Sequence, residues 1–139
     1  MEENEKSLSK VGIVSCSGED YPEGTISRLA TLEVLHHRKP FDTTTICLPL
    51  FIAGGEGDRM FAQNHPVITV DGCEKLCAKR ATEKYSGEVA CSINIRDFIK
   101  VSDDIINRNI LNDDEKRITL AVADALSSKV DEILKENNK

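Results

Sequence analysis

Tryptophan is absent from this 139-residue chain, and aromatic residues make up only 4% of it. Its core must therefore be aliphatic. An excess of positive charge is missing too: 24 acidic side chains outnumber 18 basic ones, for a net charge of −6. Phosphate binding wants a basic face, which argues against nucleic acid as a main partner. No apolar run reaches the ~18–20 residues that cross a bilayer. The opening M-E-E-N-E-K is acidic and polar, the opposite of a secretory leader. Together these absences lead us to expect a cytoplasmic protein with no membrane partner. Several motifs are lacking as well. Neither G-x-x-x-x-G-K-[ST] nor G-x-G-x-x-G occurs, so Gly54-Gly55-Glu56-Gly57 reads as a turn rather than a phosphate cradle. A C-x-x-C pair is absent. A C-x-x-x-x-x-R phosphatase loop cannot start at Cys16, because Pro22 stands where its arginine must be.

Cysteine, by contrast, is present five times. An odd number in a reducing compartment does not make a disulfide framework. The positions of these cysteines are more telling than their number. Val11–Ser15 (V-G-I-V-S) reads as a buried strand that runs straight into Cys16. Residues 43–47 (T-T-T-I-C) form a second β-branched strand, ending at Cys47. Val67, Ile68 and Val70 mark a third strand, broken by Asp71 and Gly72 just before Cys73. A fourth spans residues 89–95, where Val89, Cys91, Ile93 and Ile95 alternate with smaller or polar residues.

Helical spacing fills the gaps between strands. It predicts helices over residues 25–37 and 73–84, a short one over 48–53 and a further turn over 58–64. Ser102-Asp103-Asp104 starts another helix, and Asn112-x-x-Glu115 resembles a capping box. From there Ile118, Val122, Ala125, Leu126, Val130 and Ile133 draw an apolar stripe along a final helix. Residues 1–10 show no periodicity and are expected to be a disordered tail before a single domain over 11–139. Strands alternating with helices give an α/β fold: a three-layer, Rossmann-like, mostly parallel sheet of about four strands flanked by helices.

In such sheets ligands gather beyond the carboxyl ends of the strands. Cys16, Cys47 and Cys73 all fall there, and Cys77 follows one helical turn later. On a helix starting at residue 73, Cys73 and Cys77 share a face, and Cys73 lies where the dipole favours a thiolate. Four thiols at one sheet edge point to a shared functional site. Cys91 lies within a strand and reads as core. Arg28 is placed to steady a thiolate or an anionic substrate. Asp71 reads as orienting the turn through backbone N–H groups, with Gly72 leaving room for a bound group. His36, His37 and His65 lie away from this edge.

The same positions carry a family likeness. Cys16-Ser17-Gly18, Gly24, Arg28, Cys47-Leu48-Pro49, Asp71-Gly72-Cys73 and Cys77-Ala78-Lys79 together resemble the DGC-domain proteins over roughly residues 11–100. That family is named for its Asp-Gly-Cys motif and regarded as zinc-binding. The resemblance implies metal ligation by Cys16, Cys47, Cys73 and Cys77, with Ser17, Gly18, Arg28, Asp71 and Gly72 around them. It implies no reaction. Four thiolates suit zinc, and they suit an iron–sulfur cluster equally well. A thiol-based redox or sulfur-transfer enzyme is the alternative, with Cys73 as nucleophile, Cys16 as its partner and a small anionic or thiol substrate.

Overall fold

The computed structural model describes residues 10–19, 21–98 and 113–137. Four strands form one parallel sheet: β1 (Val11–Ser15), β2 (Thr43–Thr45), β3 (Val67–Asp71) and β4 (Cys91–Asn94), in the order β2-β1-β3-β4. The described residues also form five α-helices: α1 (Pro22–Glu33), α2 (Leu48–Ile52), α3 (Glu56–Asn64), α4 (Cys77–Tyr85) and α5 (Asp113–Asn137). The expected α/β architecture is present. The sequence predicted for residues 1–9 and 102–104 and for the cap at Asn112 lies outside the described residues.

Strand alternation splits the core into two layers. Val11 and Ile13 of β1, with Ile68 and Val70 of β3, pack against Ile26, Ala30 and Val34 and against Val122, Leu126 and Val130 of α5. Each of these side chains is fully buried, contributing about 1.5–3 kcal/mol for the larger aliphatics. The opposite face puts Val14 and Val67 against Leu48, Phe51, Ala62 and Ala78. The stripe expected on α5 meets the sheet and α1, except that Ala123 and not Ala125 belongs to the buried cluster.

Several boundaries differ from the sequence expectation, each for a local reason. Helix α1 opens three residues early because Pro22 occupies its first turn, where a missing N–H costs nothing. It then relaxes into a wider π-type turn over Val34–Arg38. The segment after the glycine run is a full helix, α3, with Glu56 and Asp58 in its first turn. β2 stops at Thr45, so Cys47 stands two residues beyond it, at the N-cap of α2. β4 starts only at Cys91 and passes into a 3₁₀ turn over Ile95–Asp97.

The largest correction concerns residues 73–76. Helix α4 begins at Cys77, not at Cys73, because Leu76 has φ 53° and ψ 46°, a left-handed conformation that no right-handed helix can include. The good helix formers Glu74, Lys75 and Leu76 are overruled by a cap. Asp71, at the end of β3, accepts N–H bonds from Ala78 (2.8 Å) and Lys79 (3.2 Å), which fixes where the helix starts. Cys73 and Cys77 are therefore not neighbours on one helix face.

Candidate functional site

Register fixes the first part of the site. Val14 pairs with Thr69 and Ser15 with Val70, so the next step of β1 places Cys16 beside Asp71 at the carboxyl edge. The Cys16 amide continues the ladder to the Val70 carbonyl at 2.9 Å. Strand order reverses between β1 and β3, the switch point where α/β sheets open a crevice.

Two glycines close that crevice to backbone distance. A β-carbon at residue 24 would lie 2.0 Å from the Gly18 carbonyl oxygen. One at residue 72 would lie 2.9 Å from the Gly24 nitrogen. The first is far below any tolerated contact and the second just below it, both against backbone atoms, so glycine lets the β1 loop, the start of α1 and the β3 loop meet here. The Gly72 N–H then points at the Cys16 sulfur (3.3 Å), and the Ser27 hydroxyl lies 3.5 Å from the same atom.

The resulting cavity, about 120 Å³, is lined by Cys16, Cys73, Cys77, Asp71, Lys75 and Tyr21, with glycine walls. Three of the four expected cysteines therefore share one cavity. Cys47 lines an adjoining one with Ser15, Ser17 and Arg28. Cys91 is half-buried against the α5 face of the core, away from both. His65 bonds back to the Phe61 carbonyl and stacks on its ring at the far end of β3. His36 and His37 sit in the turn after α1.

Electrostatics distinguish the sulfurs. The Cys77 thiol is pushed up, first by desolvation, then by the negative charges of Asp71, Cys16 and Cys73, with Lys75 pulling the other way. Its place at the head of α4 does not make it a ready thiolate. Asp71 is 1% exposed and also raised, by burial above all, while the two N–H bonds from α4 oppose that shift. It caps a helix; the sequence reading has it accept backbone N–H bonds, but within the turn and not from the head of α4. Burial raises the Cys91 thiol as well.

The segment between Cys73 and Leu76 is pinned from β4. Asn94 Nδ2 donates to the Cys73 carbonyl at 3.0 Å. Arg96 pairs with Glu74 and, at 3.4 Å, with Glu23, which is 3% exposed. The Arg96 guanidinium also lies over the Tyr21 ring. Sequence reasoning missed Ser27, Asn94 and Arg96. The strand-end rule that found the cysteines points to Asn94 and Arg96 too, since Asn94 ends β4 and Arg96 lies in the turn after it.

A model of the DGC domain matches residues 12–131. The chain belongs to the DGC-domain family. The match reaches well into α5, beyond the residues 11–100 that carry the visible motifs. Neither a curated protein nor a solved structure matches the chain. The DGC motif itself now has a physical reading: Asp71 caps α4, Gly72 allows the close approach, and Cys73 supplies the thiol. As a donor set, three sulfurs around one cavity suit a thiophilic ion. Their spacing is not that of an assembled cage: among the described residues, no three Cys, His, Asp or Glu side chains stand together as one ion would require.

Proposed function

We propose that this DGC domain binds a thiophilic metal ion, zinc first, through Cys16, Cys73 and Cys77, with Cys47 as the outlying fourth ligand. The observation that supports it most is three thiols, from two strand-end loops and a helix start, lining one cavity at the switch point. Burial first, and then the nearby Asp71, Cys16 and Cys73, keep the proton on Cys77 until a cation compensates them, so binding would release protons and strengthen as pH rises. Zinc would supply a closed-shell cation that neutralises clustered thiolates. Since the sulfurs are not yet gathered, ligation requires residues 72–76 to move against their Asn94 and Arg96 tethers.

Elemental analysis and absorption spectra of protein purified without oxygen test this reading. One zinc per chain and no visible absorption are expected. Brown protein with charge-transfer bands moves the same cysteines to an iron–sulfur cluster. A second reading has one specific observation in its favour. The Cys16 sulfur accepts an N–H bond from Gly72, as a nucleophilic sulfur would, whereas Cys73 has lost the helix-start position that nominated it. Metal-free protein that resists zinc loading but alkylates fast at Cys16 would favour a thiol enzyme.

A further inference from the structure

The loop after β1 lines more than the thiol cavity. Ser17 has φ 52°, rare for a residue with a β-carbon, and such conformations collect at functional sites. Its neighbour Cys16 lines the thiol cavity, while Ser17 itself lines the adjoining cleft with Ser15, Arg28, Thr45, Cys47 and Leu48. That cleft holds about 300 Å³, at the small end of the ~300–1,000 Å³ typical of ligand pockets.

Its chemistry differs from that of its neighbour. In a chain with six more acidic than basic side chains, no carboxylate lines this cleft, while the wider cleft on the other side of Arg28, which shares Ser17 and Leu32, carries Glu19. Arg38, Arg96 and Arg59 are engaged, whereas the Arg80 side chain, like that of Arg28, is exposed and makes no hydrogen bond or ion pair among the described residues. Arg38 pairs with Glu33 and Asp124, Arg96 with Glu23 and Glu74, and Arg59 donates to two backbone carbonyls beneath Tyr85. Arg28 has no hydrogen-bond or ion-pair partner among the described residues, and neither has the Thr45 hydroxyl. Ser15 and Ser17 share one hydrogen bond at 2.9 Å, which leaves one hydroxyl proton of the pair to donate.

We propose that this cleft is an anion site for a small carboxylate or oxyanion, held by the Arg28 fork and the Ser17 and Thr45 hydroxyls beside Cys47. A planar guanidinium matches two anion oxygens at once, which hydroxyls alone cannot do. The site goes beyond metal binding and stands whether or not an ion occupies the next cavity.

Amide and arginine side-chain NMR signals of the labelled full chain, titrated separately with sulfate and with acetate against a constant chloride background, test it. Saturable shifts are expected at Ser17, Thr45 and Cys47 and at the Arg28 Nε–H, with at least one of the two anions. The preference between them tells oxyanion from carboxylate. Arg28→Gln should weaken binding about tenfold, the loss of one charge-assisted pair, and Arg28→Lys should restore part of it. Arg80→Gln, on exposed helix surface, should change nothing. No saturable shift with either anion, or undiminished affinity in Arg28→Gln, would overturn the proposal. Zinc content measured on the same samples separates this failure from failure of the metal reading.

Discussion

One three-residue loop, Cys16-Ser17-Gly18, separates two cavities of opposite character. On its β3 side the lining is soft and proton-holding: three thiols and a buried carboxylate. On its β2 side the lining is hard and donor-rich: a guanidinium, serine and threonine hydroxyls, and a single thiol. The two sit on one sheet edge and share one strand, so their difference comes from side chains and not from the fold. A sheet edge offers a place for ligands, and the residues that follow each strand choose which ligands.

Gly24→Ala is the hardest way to break this arrangement. Its new methyl would sit 2.0 Å from the Gly18 carbonyl oxygen, so the loop that divides the cavities must shift. A stability loss of about 3 kcal/mol is expected, read as a lower denaturant midpoint, together with loss of both ligand responses. Wild-type stability in that variant would mean that the loop does not rest on α1.

Asp71→Asn sharpens the thiol side. The amide offers one acceptor where the carboxylate used two, so one N–H of α4 loses its partner, at a cost of about 1–2 kcal/mol. The sign of the pH effect follows from the raised folded-state pKa. In the metal-free protein the folded state holds this proton more tightly than the unfolded state. Wild-type stability should therefore rise relative to Asp71→Asn as pH falls through the folded pKa toward the unfolded value. Urea midpoints of both proteins across that window check it, and a gap that shrinks on acidification would mean that the two N–H bonds outweigh desolvation at Asp71.

Smaller effects belong to residues outside both cavities. Cys91→Ala removes one half-buried sulfur from the α5 face of the core, for a loss of about 1 kcal/mol, and should leave zinc content unchanged. Loss of metal there would mean the ligands are misassigned. Glu74→Gln breaks an exposed pair with Arg96, and its effect on stability should stay below about 0.5 kcal/mol. If Arg96 tethers the Cys73 loop, this variant should nevertheless take up zinc faster, as stopped-flow mixing with a chromophoric chelator would record.

The strands were legible because β-branched runs such as Val11–Ser15 and Val67–Asp71 have few other uses, and because cysteines follow them. The grouping of Cys16 with Cys73 followed from the same reasoning, whereas Cys77 was expected there through a helix face shared with Cys73 that the structure lacks. The start of α4 was not legible. Residues 73–76 have helical propensity, and only the distant Asp71 carboxylate, acting across the strand end, moves the helix start to Cys77. Nor was the separation of Cys47 visible, because β2 ends two residues earlier than its β-branched run suggests. The role of Ser27 depends on a helix–loop contact that the Gly24 and Gly72 approaches create, and no local pattern announces it.

Cysteine-resolved alkylation, read by mass spectrometry with and without one equivalent of zinc, tests the central claim most directly. The account predicts that zinc protects Cys16, Cys73 and Cys77 together, protects Cys47 to a lesser degree, and leaves Cys91 as it was. Protection of Cys91, or of no cysteine at all, would contradict it.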